Sequence, residues 1–159
     1  MWASSDANTD CTVIGDMISV AKEHPEAIIF GSRWIKGGGF EGYGGFSKLL
    51  NYVFQKLLQI LFWTSIKDLT YGYRMGPIDK LLSVTWESTG FPIGTETNLK
   101  FLRMGYEIIE IPAVWRKRDQ GDSQNSFLTK LKYIPVVLKI RFAPLHSLKS
   151  DGTGKKIPS

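Results

Sequence analysis

The clearest hydrophobic pattern in the chain runs from Phe46 to Trp63. Phe46, Leu49, Leu50, Val53, Phe54, Leu57, Leu58 and Leu61 recur at helical intervals, with Ser47, Lys48, Asn51, Gln55, Lys56 and Gln59 between them. That spacing gathers apolar groups on one side of a helix, so a long amphipathic helix is predicted here. A shorter one is predicted from Thr12 to His24: Thr12 can cap it, Val13, Met17, Ile18 and Ala21 share a face, and Pro25 follows its end. Between them Ala27 to Phe30 is a short apolar run bounded by turn residues, which predicts a buried strand. Pro77 to Trp86 and Thr95 to Met104 predict two short helices, started by Pro77 and Thr95. Tyr106 to Trp115 alternates as one strand, with Pro112 marking an edge or an end. Phe127 to Phe142 predicts a second amphipathic helix, basic throughout, bent or interrupted at Pro135 and closed by Pro144.

Strands interleaved with helices indicate an α/β fold. The chain has 159 residues, the size of one compact domain. With 43% hydrophobic, 22% charged and 13% aromatic residues it carries enough apolar surface for a core. The tail from Ser147 is rich in Gly, Ser and Lys and is expected to be disordered. A single cysteine, Cys11, excludes an intramolecular disulfide framework and a cysteine-based zinc site. Gln59, Lys130, Lys132 and Lys139 interrupt the longest apolar stretches, so no segment is predicted to span a bilayer, and the opening residues do not read as a signal peptide.

Charge is distributed unevenly. Residues 1–114 hold 10 Lys and Arg against 12 Asp and Glu, whereas residues 115–159 hold 10 against 3. The basic end points to an anionic surface or a phosphate as partner. Lys130, Lys132, Lys139 and Arg141 lie among Phe127, Leu131, Ile134, Val137, Leu138 and Phe142, as in an interfacial helix that meets an anionic membrane or a core-facing helix with solvated cations; no recognition motif supports nucleic-acid binding.

Three features carry candidate chemistry. Ser5-Asp-Ala-Asn-Thr-Asp10 places oxygen ligands at alternate positions, a spacing that serves a hard cation as well as a turn and helix cap. Gly37-Gly-Gly-Phe-Glu-Gly42 has the spacing of a dinucleotide fingerprint, but no strand immediately precedes it and no acidic residue stands about 20 positions later, so it reads as a flexible or active-site loop. Arginines follow apolar or aromatic segments at Arg33, Arg74, Arg116 and Arg118. At the carboxyl ends of strands such residues suit phosphates; elsewhere they are solvated charge.

Six motifs in register resemble one family. They are Ser5-Asp-Ala-Asn-Thr-Asp10, Ile28-Ile-Phe-Gly-Ser-Arg33, Lys67-Asp-Leu-Thr-Tyr-Gly-Tyr-Arg74, Gly90-Phe-Pro-Ile-Gly-Thr-Glu96, Gly105-Tyr-Glu-Ile-Ile-Glu-Ile-Pro112 and Arg118-Asp-Gln-Gly-Asp-Ser123. Together they resemble family 2 glycosyltransferases of the dolichyl-phosphate mannose synthase type. The resemblance implies a partial glycosyltransferase A (Rossmann-like) fold with amphipathic interfacial helices, and transfer of a hexose from a nucleotide-diphosphate sugar to a polyprenyl phosphate. It implies Mg²⁺ or Mn²⁺ held by Asp6, Asn8 and Asp10, with Asn8 in a position the family fills with an acid. It further implies Arg33, Arg74, Arg118 and Ser123 as substrate-binding residues and Asp68 as the catalytic carboxylate, which orients a reactant rather than removing a proton. Tyr71 replaces the family's usual Ser, and Gln124 stands where the family has Lys.

The family places a nucleotide-binding half before the Asp-x-Asp motif, and only five residues precede Asp6. The resemblance therefore makes residues 1–126 the C-terminal part of a catalytic domain without that half, 127–146 a membrane-interface segment, and 147–159 a tail. A peripheral position at the cytoplasmic face of a membrane is the expected location. The rival expectation is a non-catalytic remnant that acts as a membrane- or partner-binding module.

Overall fold

A computed structural model describes residues 12–88, 92–117 and 133–152. In chain order its elements are α1 (Thr12–Glu23), β1 (Ile28–Ser32), β2 (Gly39–Glu41), α2 (Gly45–Phe62), β3 (Arg74–Met75), α3 (Ile78–Leu82), α4 (Pro92–Arg103), β4 (Ile108–Pro112), β5 (Val114–Arg116), α5 (Tyr133–Phe142) and α6 (Leu145–Leu148). They form a small α/β domain with a mixed sheet, compatible with a Rossmann-like topology of the glycosyltransferase A kind.

β1 is the central strand, antiparallel to β3 on one side and parallel to β4 on the other. All five of its residues are buried, because both faces are covered. Ile29 packs with Val13 and Met17 of α1, while Ile28 and Phe30 meet Phe101 of α4 and Val84 on the opposite face. A third cluster, Leu58, Leu69, Leu99, Val137 and Ile140, joins α2, α4 and α5.

The apolar run from Tyr106 to Trp115 is not one strand. β4 pairs with β1 as far as Ser32 opposite Pro112, and β5 pairs with β2 in a second, parallel ladder. Only Ala113 separates β4 from β5, and its N–H and carbonyl bridge Ser32 and Gly39. On the other side the chain inserts the loop 33–38 between β1 and β2, so that loop must leave the sheet and return beside its starting point. Glycine permits the return: a Cβ on Gly38 would lie 2.3 Å from the Ser32 carbonyl oxygen. Gly37 adopts φ +91°, open to glycine at little cost.

α2 has the predicted extent, and only part of its apolar stripe faces the core. Phe46, Leu49, Val53, Leu57 and Ile60 are exposed, whereas Gln55 is 2% exposed and Asn51 and Gln59 are half-buried. The interior receives one edge of the apolar stripe, through Phe54, Leu58 and Leu61, together with part of the polar stripe. The cause lies in the neighbouring loop 64–70, whose backbone needs hydrogen-bond partners below the surface. Gln59 Nε2 donates to the Ile66 carbonyl, and Gln55 Oε1 accepts the Leu69 N–H.

Two other segments differ from their sequence patterns. The helix predicted from Pro77 to Trp86 ends at Leu82, because Ser83 to Thr85 pair with Leu148 to Ser150. Consequently residues 147–152 are held to the domain rather than forming a loose tail, and Leu148 is buried; residues 153–159 lie outside the described residues. In α5, Pro135 lies in the first described turn, and the helix runs on unbroken to Phe142. Arg103 donates to the Ile140 and Ala143 carbonyls at the other end of α5, satisfying acceptors the helix leaves open.

Candidate functional site

β1 and β4 are parallel, so their carboxyl ends share one edge of the sheet, and Arg33 is the first residue beyond β1. It is 8% exposed. Asp68, on the loop after α2, lies against it and is fully buried. Arg33 Nε donates to Asp68 Oδ2 at 2.7 Å and Nη2 to Oδ1 at 2.9 Å, and the Arg33 backbone N–H adds a third bond to Oδ2 at 3.0 Å. Burial pushes the guanidinium pKa down, but the charge and hydrogen bonds of Asp68 outweigh that and hold it above its ordinary value.

The pair is embedded in a wider network. Asp68 Oδ1 also accepts from Gln55 Nε2 at 2.8 Å and from the Thr70 N–H at 3.3 Å. Thr70 Oγ1 accepts from Arg33 Nη2 at 2.9 Å and from Gln55 Nε2 at 2.6 Å. Asn51 Oδ1 accepts the Trp34 indole N–H at 3.1 Å. From the sheet, the Glu110 carboxylate accepts the Lys67 and Asp68 N–H groups at 2.8 and 2.9 Å. With so many donors directed at its two oxygens, Asp68 acts as the acceptor that orients Arg33.

Aromatic rings surround the cation. The guanidinium carbon lies 4.4 Å from the Tyr71 ring centroid and 5.0 Å from that of Phe40. Phe40 continues into Tyr43 and Trp115, with centroids 5.1 and then 4.9 Å apart. Burial raises the pKa of the Tyr43 hydroxyl, with the Arg33 charge opposing it, and burial pushes that of Tyr133 to about 12. Among the described residues Arg33 Nη1 donates to none, whereas Nε and Nη2 are both engaged. The arrangement suits an anion beside a planar or apolar group.

The other residues singled out by sequence fall elsewhere. Arg74 is on β3, 2% exposed, and donates to the Gly94 carbonyl and Asn98 Oδ1 at 3.0 and 2.8 Å. Burial lowers its pKa to about 9. It fastens α4 to the loop before β3. Asp6, Asn8, Asp10, Arg118 and Ser123 lie outside the described residues; of the others, the geometry joins Arg33 to Asp68. Among the described residues there is no group of three or more His, Cys, Asp or Glu side chains able to hold a metal. Of the four cations expected on the interfacial helix, Lys139 pairs with Glu87 and Arg141 Nε donates to the Leu61 carbonyl. Lys130 and Lys132 lie outside the described residues.

Gln55, Thr70 and Glu110 are not evident as members of the site from sequence. Gln55 offers one signal, a polar residue directly between Phe54 and the pair Leu57 and Leu58. Glu110 lies within the Gly105–Pro112 motif and Thr70 within Lys67–Arg74, but neither motif marks them as partners of Asp68. A separate cavity of about 250 Å³ lies between α4 and α5, with Glu96, Lys100, Val136 and Ile140 in its wall, and does not include Arg33 or Asp68. No described helix is long and apolar enough to cross a membrane.

No family model matches the chain. Among curated proteins, an undecaprenyl-phosphate mannosyltransferase of Micrococcus luteus is 26% identical over 102 residues, a match covering 62% of this chain and 42% of that protein. The chain thus spans about two-fifths of the length of that relative. The similarity is distant and partial, and its coarse content is that the chain is glycosyltransferase-like in sequence and in α/β architecture.

Proposed function

We propose that this chain serves transfer of a hexose from a nucleotide-diphosphate sugar to a polyprenyl phosphate, as a peripheral component at the cytoplasmic face of a membrane. The observation that carries the reading is Arg33 at the carboxyl end of β1, braced by Asp68 and retaining Nη1 for a phosphoryl oxygen. Departure of a nucleotide diphosphate builds negative charge on its phosphates, and a fixed cation at that place lowers the barrier. A lipid phosphate already carries an ionised oxygen near neutral pH, so attack on the sugar carbon needs no strong base. This agrees with an Asp68 that positions rather than removes a proton.

Arg118 and Ser123 are proposed to add to phosphate binding, and Arg74 to act from beneath by holding α4 in place. A divalent cation, Mg²⁺ or Mn²⁺, with Asp6, Asn8 and Asp10 as its proposed ligands, would supply further positive charge to the diphosphate. The exposed stripe of Phe46, Leu49, Val53, Leu57 and Ile60 on α2 supports contact with an anionic membrane surface, where a lipid acceptor is reached.

The test is transfer of labelled hexose from nucleotide-diphosphate hexoses to polyprenyl phosphate in anionic vesicles containing Mn²⁺. Label should enter the lipid, and Arg33→Ala should reduce the rate about 10²-fold or more. One observation favours the rival reading of a non-catalytic membrane-binding module: Asp68 is already engaged on every side by internal donors. Vesicle binding with no transfer by the chain would select that reading.

A further inference from the structure

We infer that Gln55 is the positioning residue of the Arg33 site: through this one amide, α2 sets the Asp68 carboxylate and thereby which guanidinium nitrogen of Arg33 is left for a phosphoryl oxygen. The inference rests on the proposed anion-binding role of Arg33. Gln55 is 2% exposed, and its side chain spans three consecutive loop residues. Nε2 donates to Asp68 Oδ1 at 2.8 Å and to Thr70 Oγ1 at 2.6 Å, while Oε1 accepts the Leu69 N–H at 2.9 Å.

A carboxamide suits this position because it is neutral and both donates and accepts. Leucine would leave the buried Leu69 N–H without its acceptor and remove a donor from Asp68 and from Thr70. Those two groups hold Arg33 Nη2, at 2.9 Å in each case. With Oδ1 and Oγ1 fixed, Nε and Nη2 are occupied and Nη1 remains. With them loosened, the guanidinium can rotate its free pair away from the sheet edge, or offer the same nitrogens to the ligand and to Asp68 in turn.

Glutamate at position 55 would place a second carboxylate against Asp68, with Arg33 as the nearby cation. The other titratable groups around the network are Glu110 of β4, whose carboxylate binds the Lys67 and Asp68 N–H groups, Tyr71 under the guanidinium, Tyr43 beyond Phe40, and Tyr133 of α5. In Gln55→Glu the protonated carboxyl could donate to Asp68 as the amide does, whereas the ionised carboxylate could not.

The experiment follows the ¹⁵N-labelled full chain by NMR, reading exchange of the Arg33 Nε–H and the Leu69 N–H with solvent, together with binding of inorganic pyrophosphate. In Gln55→Leu both protons should exchange about tenfold faster and pyrophosphate should bind about tenfold more weakly, while amides elsewhere in α2 keep their protection. Gln55→Glu should resemble the leucine variant at pH 8. At pH 5 it should return toward the wild type measured at the same pH, which cancels the titration of pyrophosphate itself. If the leucine variant does not fold, the glutamate variant at the two pH values decides the matter. Wild-type exchange and affinity in Gln55→Leu, or a Gln55→Glu deficit equal at both pH values, would overturn the inference. If wild-type protein takes up no pyrophosphate, the anion-binding reading of Arg33 fails instead, and the two exchange rates alone decide whether Gln55 positions the pair.

Discussion

Arg33 and Asp68 stand 35 positions apart in the chain and meet through two parallel hydrogen bonds, Nε to Oδ2 at 2.7 Å and Nη2 to Oδ1 at 2.9 Å. Both side chains are nearly or wholly inaccessible to water. Removing one member of such a pair leaves the other buried and uncompensated. Asp68→Asn should therefore destabilise the domain by about 3–5 kcal/mol, read from urea unfolding. Arg33→Met combined with Asp68→Asn should cost less than the sum of the two single losses, and additive losses would contradict the coupling.

Glu110 ties the Asp68 loop to the sheet by accepting two backbone N–H groups. Glu110→Ala should cost about 1–3 kcal/mol and raise amide exchange at Lys67 and Asp68 before any change is seen in β1. Unchanged exchange at those two amides would show that the loop is held by Gln55 and Gln59 instead.

Glu96 and Lys100 form a second buried pair, Oε1 to Nζ at 2.6 Å, one helical turn apart on α4. Burial pushes the Glu96 carboxyl upward, but hydrogen bonds from Lys100 and from the Glu87 and Ser88 N–H groups more than reverse this and hold it below the ordinary carboxylate range. A depressed folded-state pKa contributes stability that is present above the unfolded value of about 4.3 and is lost as pH falls through the folded value. Thermal midpoints should accordingly decline below about pH 4.3. In Lys100→Met the carboxyl loses its cation and burial prevails, so the deficit relative to wild type should shrink as pH is lowered from 7 toward 4. A deficit independent of pH would refute the assignment.

Gly38 closes the loop that carries Arg33. A methyl group at this position would lie 2.3 Å from the Ser32 carbonyl oxygen and 3.1 Å from the Arg33 backbone. Gly38→Ala should cost roughly 1–3 kcal/mol, measured as a lower urea midpoint, and should also shift the Arg33 resonances. Substitution at Gly39, where a Cβ would meet nothing within 4 Å, is the control and should be far milder.

The outer face of α2 is open to a direct test. Replacing Leu49, Val53, Leu57 and Ile60 together by Gln should leave the thermal midpoint close to wild type, since these side chains are exposed, yet reduce binding to anionic vesicles at least tenfold. Equal sedimentation of the two proteins with vesicles would exclude α2 as the contact.

Sequence by itself determined the periodic elements. Val13 and Met17 of α1, the run from Ile28 to Phe30 and the length of α2 follow from local spacing, because a helix or strand imposes its period on whichever residues must be buried. The position of Arg33 beyond a buried strand was legible for the same reason. Tertiary structure decided how those elements face one another. Gln55 and Asn51 belong to the polar stripe of α2 by pattern, yet they turn inward because the loop 64–70 presents the Leu69 N–H and the Asp68 carboxylate to Gln55 and the Thr70 hydroxyl to both. The break at Ala113 is equally non-local: it depends on a loop of the partner strand leaving the sheet about 75 residues earlier, as the register of Phe40 against Trp115 shows. Periodicity records which positions alternate between apolar and polar; hydrogen-bond demand from a distant segment decides which of them the interior accepts.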